Sequence, residues 1–273
     1  MFVDDECPSD NLASLNQTIS NVIDKYKRID NVSTASVYLK IYGGSDWTAV
    51  NDEEKYEPGS LFKVPILIAS LKMDEKNPGF LNQKLLYARP FDIGKKVNFK
   101  NKSIVLGNTY SIRELLKYMI SYSDNNATAL IETVLDGKTL IKLFTDLGLE
   151  VPNMASSQYL FTARGYSYFM RSICNASYLN TTNSEYAAEL LSKSEFKDGI
   201  SKGLPSTVKI IHKFGESGNQ TEKQLHECAI IYLDNKTYLL TVMTKGKDVG
   251  KLSKLIQEIS QTVYNEMINQ SQS

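Results

Sequence analysis

Strand-forming sequence stands near both ends of this 273-residue chain and helix-forming sequence fills the interval between, an order that admits few folds. Over residues 9–29, Leu12, Leu15, Ile19, Ile23 and Tyr26 recur at intervals of three and four, as the buried stripe of an amphipathic helix does. Val32 to Tyr42 is β-branched and aromatic, closes on Gly43 and Gly44, and has a hairpin partner in Trp47 to Val50. Strand signals return only after Gly203, Leu204 and Pro205: Val208 to His212, Cys228 to Leu233 and Thr237 to Thr244, with Asp234 and Asn235 turning between the last two. Residues 248–268 then close the chain as a second amphipathic helix. The two ends must therefore share one antiparallel sheet of five strands, flanked by the terminal helices.

The interval reads as six helices: Leu61 to Met73, Ile112 to Tyr122, Ala127 to Leu135, Thr139 to Leu147, Thr162 to Cys174 and Ser184 to Leu191. The predicted class is α/β (α+β) with two lobes, residues 1–59 with 205–273 forming the sheet lobe and residues 60–204 an all-helical lobe. Clefts form where lobes meet, which directs attention to the boundaries near Ser60, Ser123 and Lys213.

Charge excludes some functions. The 31 basic residues cancel the 31 acidic ones, so no global field draws the chain to nucleic acid or an acidic membrane. No apolar run has the length of a membrane span, and the opening MFVDDECPSD lacks the basic, apolar, cleavable order of an export signal, as a mature or truncated form would. Cys7, Cys174 and Cys228 are too few for a disulfide framework and match no zinc spacing. His226, Glu227 and Cys228 are adjacent on a strand and cannot converge on one ion, so neither metal nor cofactor is expected.

Three short motifs carry chemistry. Ser60 follows Pro58 and Gly59 and opens the apolar helix LFKVPILIASL, with Lys63 one turn further on. That spacing puts the amine on the hydroxyl's face of the helix, where burial would lower its pKa toward use as a base. Ser-x-x-Lys also occurs at Ser194 with Lys197 and Ser206 with Lys209, but neither lies in a helix too apolar for a surface. Ser123, Asp124 and Asn125 sit at a junction between helices, where they could equally cap the helix near Ala127. Lys213, Phe214 and Gly215 end a strand, and the glycine allows close approach of a substrate backbone. His212 should point to the face opposite Lys213, away from any site built there.

In this order the three motifs resemble the signature of serine β-lactamases and penicillin-binding proteins, and the order of elements resembles the class A β-lactamase fold over nearly the whole chain. The resemblance implies one catalytic unit with an acyl-enzyme at Ser60. Lys63 would take the hydroxyl proton, directly or through water, and Ser123 would relay a proton to the leaving nitrogen. Asn125 would hold the substrate amide, and Lys213 would supply positive potential. The backbone N–H groups of Ser60 and Glu216 would form the oxyanion hole beside Gly215. It further implies a small-molecule or peptidoglycan-peptide substrate, no nucleic-acid partner, a monomer and an extracytoplasmic location.

Two departures bear on activity. The glutamate that activates the deacylating water in class A enzymes has no counterpart in Val151 to Phe161 (VPNMASSQYLF), and the nearest acid, Glu150, reads as a surface residue. Phe214 stands where the family carries a hydroxyl that helps bind the substrate carboxylate. Losing one hydrogen bond to a charged group costs about 1.5–3 kcal/mol unless Ser217 or Lys213 compensates. Acylation with slow release is the expectation. An esterase or glutaminase-like amidase, or an impaired cell-wall-binding module, would share the scaffold. The missing Gly-x-Ser-x-Gly elbow and a count of two histidines argue against a Ser-His-Asp hydrolase.

Overall fold

In the computed structural model, residues 7–30, 32–92, 99, 102–152 and 159–270 are described. The chain divides into two compact units, one of Met1–Leu61, Asn153–Arg171 and Lys197–Ser273, the other of Phe62–Pro152 and Ser172–Phe196. This division draws residues 153–171 and 197–204, expected within a helical block at 60–204, into the unit that holds the sheet.

The first unit is built on five antiparallel strands, β1 (Val32–Ile41), β2 (Trp47–Val50), β5 (Lys209–Gly218), β6 (Lys223–Tyr232) and β7 (Thr237–Gly246), in the order β2-β1-β7-β6-β5. The chain's two ends thus meet along β1 and β7, whose register runs from Val32 opposite Gly246 to Ile41 opposite Tyr238. Helix α1 (Ala13–Ile29) packs on β1 and β2, α8 (Val249–Asn269) packs on β6 and β7, and the two helices pack on each other. Their buried residues are those of the apolar stripes: Leu15, Ile19, Ile23 and Tyr26 from α1, and Leu252, Leu255, Ile256, Ile259, Val263 and Met267 from α8. Glu258 of α8 ties the pair together, accepting from Lys25 Nζ at 2.8 Å and Tyr26 Oη at 2.9 Å.

The sheet corrects two expectations. β5 does not stop at His212 but continues to Gly218, so Lys213, Phe214 and Gly215 lie inside the strand instead of at its end. β6 likewise starts at Lys223, five residues before the expected Cys228. Both added stretches are mostly polar, and their buried polar side chains have partners, as Gln224, His226 and Glu227 show below.

The second unit is organised around α2 (Lys63–Lys76), whose residues Lys63 to Leu71 are all buried. Around it pack α3 (Ile112–Ser121), α5 (Gly137–Asp146) and α7 (Thr181–Ser192), while α4 (Asn125–Glu132) packs on α3. Helix α6 (Ala163–Cys174) leaves the first unit after Arg171 and ends in the second. An unexpected hairpin, β3 (Lys84–Leu86) with β4 (Thr109–Ser111), leads into α3 through a capping box in which Ser111 Oγ accepts from Glu114 N and Glu114 Oε2 from Ser111 N. The unit is therefore not purely helical. Pro65 is the third residue of α2, in the first turn, where a proline is best tolerated.

Candidate active site

In the second unit, Lys63 begins α2 and is almost fully buried, 4% exposed. Its Nζ donates to Ser123 O at 2.6 Å and to Asn125 Oδ1 at 2.6 Å, and lies 3.2 Å from Ser123 Oγ. Removal from water pushes the Lys63 pKa down to about 7, against a smaller upward pull from the Asp124 and Glu132 carboxylates. An amine near that value is neutral half the time at neutral pH and can take a proton while keeping two N–H donors on the two oxygens.

The 123–125 turn caps a helix and also meets the Lys63 amine. Asp124 is the N-cap of α4, accepting from Asn126 N at 3.0 Å. Its oxygens also accept from Ser103 Oγ and Ile104 N, each at 2.8 Å, which fastens the 103–104 segment to the turn. Ser123 has φ +55°, a left-handed conformation that a residue with a Cβ occupies at a cost of about 1–2 kcal/mol. Cap and strained serine together aim the Ser123 carbonyl and hydroxyl and the Asn125 amide at one ammonium.

In the first unit, Ser60 is half-buried on a 3-10 turn, Gly59–Phe62, which runs straight into α2. Ser60 therefore stands just ahead of the α-helix instead of being its first residue. The turn closes with Leu61 N on Pro58 O at 3.0 Å, and Leu61 O accepts from the buried Tyr166 Oη at 3.1 Å. Two glycines let this turn lie against β5. A Cβ on Gly59, at φ +51°, would sit 2.1 Å from Glu216 O, and one on Gly215 would sit 2.1 Å from Pro58 O. Ser60 is thereby held beside the main chain of Gly215 and Glu216, on an edge strand of the sheet. Lys213 is fully buried, donates to Phe214 O at 3.2 Å and lies 4.4 Å from the Phe214 ring centre.

Glu57, which the sequence gave no reason to single out, is fastened to the same place. Its carboxylate accepts a short hydrogen bond from Ser217 Oγ. Its N–H donates to Gln224 Oε1 at 3.1 Å, and its carbonyl accepts from His226 Nε2 at 3.0 Å. His226 Nδ1 accepts from Thr244 N at 3.1 Å, which fixes the neutral tautomer with the proton on Nε2. Burial drives the His226 pKa down to about 3, helped by the nearby Lys245 charge and opposed by the bond to Glu57 O. His212, by contrast, is bonded through Nδ1 to Glu227 at 2.6 Å, and Glu227 accepts from Ile200 N at 2.6 Å. Cys228 contacts Thr241 Oγ1 at 3.0 Å, so His226, Glu227 and Cys228 engage three different neighbourhoods. Among the described residues no group of three or more His, Cys, Asp or Glu side chains could hold a metal.

Glu150 is exposed. Residues 153–158 of the stretch searched for a deacylating glutamate lie outside the described residues. Beyond them, Phe161 forms a two-way backbone bridge with Tyr56, 2.9 Å in each direction, just before α6 begins.

A helix-flanked five-stranded antiparallel sheet, a second unit of helices and a buried lysine gathering Ser123 and Asn125 define a serine hydrolase of the class A β-lactamase type. The family model for the Beta-lactamase enzyme family matches residues 14–267, and the chain belongs to that family. It is similar to β-lactamase VEB-1 of Pseudomonas aeruginosa, with 20% identity over 93% of each chain. The extended-spectrum β-lactamase PER-1 of Pseudomonas aeruginosa is 23% identical over 84% of this chain and 82% of its own. Among solved structures, a point mutant of PBP-A, as its acyl-enzyme complex with penicillin G, superposes with a TM-score of 0.79 at 22% identity. It covers 98% of this chain and 100% of its own.

Proposed function

We propose that the chain acylates itself at Ser60 with β-lactam or peptidoglycan-peptide-like amides and releases the acyl group slowly. Ser60 Oγ bonds to the acyl carbon as its proton passes to Lys63, directly or through water. The C–N bond then breaks while Ser123 hands a proton to the leaving nitrogen, and water later cleaves the ester to restore the hydroxyl. Asn125 holds the substrate amide, Lys213 supplies positive potential, and the N–H groups of Ser60 and Glu216 receive the negative charge that develops on the carbonyl oxygen, beside Gly215.

The observation that carries this reading is the buried Lys63 amine, depressed to about 7 and bonded to the residues that the chemistry requires. Slow release follows from the lack of an acid in residues 151–161 and from the exposure of Glu150. Phe214 weakens the hold on a substrate carboxylate, consistent with poor β-lactam turnover. The protein is expected to work as a monomer outside the cytoplasm, without a cofactor. No helix among the described residues is long and apolar enough to cross a membrane.

Intact mass followed over time after mixing with penicillin G tests the proposal, with Ser60→Ala as control. A single adduct that persists for many minutes and is absent from the variant is expected. Rapid multi-turnover hydrolysis would contradict slow release, and an adduct that survives Ser60→Ala would remove Ser60 as nucleophile. Labelling by simple acyl esters or glutamine analogues in place of penicillin G would turn the reading to an esterase or amidase.

A further inference from the structure

We infer that Glu57 is a positioning residue for acyl transfer, which sets the spacing between the N–H groups of Ser60 and Glu216 by fastening the Ser60 turn to β5 and β6. The inference rests on the acylation proposed above and adds a residue to its machinery. The two N–H donors come from segments far apart in sequence, so nothing covalent fixes the gap between them. Gly59 and Gly215 let the turn close on β5, with Gly59 against Glu216 and Pro58 against Gly215. Contact alone holds such a turn weakly, because each pair of touching atoms contributes little.

The bonds that fasten it are made just upstream, at Glu57. Ser217 Oγ donates to the Glu57 carboxylate, Glu57 N–H donates to Gln224 Oε1 at 3.1 Å, and Glu57 O accepts from His226 Nε2 at 3.0 Å. In the sheet register Ser217 stands opposite Gln224 and Gly215 opposite His226, with Glu216 and Leu225 paired between them. Glu57 is thus held by three residues that bracket Glu216 across the two strands. Ser217 and Gln224 are buried, so water competes little for their bonds. The carboxylate bond is made to β5 itself, one residue past Glu216, and a charge-assisted bond is among the stronger kinds.

An oxyanion hole depends on such fixity. Its donors act at about 2.7–3.1 Å from the developing charge, and a displacement of about 1 Å can cost about 10²-fold in rate. In the proposed reaction the donor molecule is held by Asn125 and Lys213, so a loosened Ser60 turn should slow the chemical step and leave binding alone.

The test follows the mass added to Ser60 over a series of penicillin G concentrations, which yields a limiting rate and a half-saturating concentration. Glu57→Ala should lower the limiting rate about 10²-fold and move the half-saturating concentration by less than about threefold. Glu57→Gln, whose amide oxygen can still accept from Ser217, should recover the rate to within about tenfold of the unmodified protein. An unchanged limiting rate in Glu57→Ala, a loss shared equally by both parameters, or no recovery in Glu57→Gln would overturn the inference. If Glu57→Ala does not fold, Ser217→Ala, which keeps both main-chain bonds of Glu57, decides it: a limiting rate about tenfold lower supports the inference, and an unchanged one overturns it. If penicillin G leaves the unmodified protein unlabelled, the proposed acylation fails, and amide hydrogen exchange then reads the fastening with no donor present. Faster exchange in Ser217→Ala confined to residues 58–61 and 215–217 supports it, and unchanged exchange there overturns it.

Discussion

Lys63 and His226 are both buried bases whose protonated forms are disfavoured, one in each unit, and the atoms around them separate a reactive group from a structural one. Burial lowers Lys63 to about 7 and His226 to about 3. His226 has both ring nitrogens occupied by backbone groups, Glu57 O and Thr244 N, so it never needs a proton and has no lone pair to offer. Lys63 is bonded to Ser123 O and Asn125 Oδ1, and its third bond, at 3.2 Å, is to the Ser123 hydroxyl, a group with which a neutral amine can exchange a proton. A depressed pKa marks a candidate, and the partner atoms decide what it does.

That contrast can be broken at several points. Lys63→Met should slow acylation by about 10³–10⁴-fold, the scale of losing a general base, while costing only about 1–2 kcal/mol of stability, since the apolar chain fills the space but leaves Ser123 O and Asn125 Oδ1 without their donor. Adduct formation and urea unfolding read the two quantities, and acylation at the unmodified rate would place Lys63 with His226 as structural. His226→Ala should do the reverse. Loss of the ring and of the partners of Glu57 O and Thr244 N should cost about 3 kcal/mol in urea unfolding, while acylation by a neutral donor stays within roughly tenfold.

Acid sharpens the same distinction through stability. The folded-state pKa of His226 is lowered from 6.5 to about 3, so the unfolded chain binds more protons between these values and the folded state loses ground as pH falls below about 6.5. The ceiling of the loss is about 1.4 kcal/mol per pH unit, and His226→Gln should unfold in urea with a shallower pH slope. The smallest effect concerns the strained turn. Ser123→Ala and Ser123→Gly both remove the hydroxyl, but only alanine keeps a Cβ in the left-handed conformation, so the glycine variant should be about 1 kcal/mol more stable. Equal stabilities would show that the turn relaxes.

The sequence displayed the sheet's makeup and its two helices through their periodicity, because apolar spacing reports burial directly. It concealed the polar ends of β5 and β6, where Glu216, Ser217, Gln224, His226 and Glu227 interrupt the apolar pattern, and where partners remote in sequence satisfy the buried ones. The hairpin of β3 and β4 was invisible because three-residue strands carry no period. Of the site, Lys63, Ser123 and Asn125 were legible as motifs, and the structure brings them to one ammonium. Gly215 was legible as a place of close approach, which proves to be by the Pro58 carbonyl of the Ser60 turn. Glu57 was not legible, since its partners Ser217 and Gln224 stand 160 and 167 residues further along the chain.

The most direct test is the rate of Ser60 acylation by a neutral donor as a function of pH. It should rise about tenfold per unit up to an inflection near 7 and level off above it, as Lys63 gives up its proton, and the inflection should vanish in Lys63→Met. A rate that is flat from pH 5 to 9, or that inflects near the ordinary lysine value of about 10.4, would show that the buried amine is not the base.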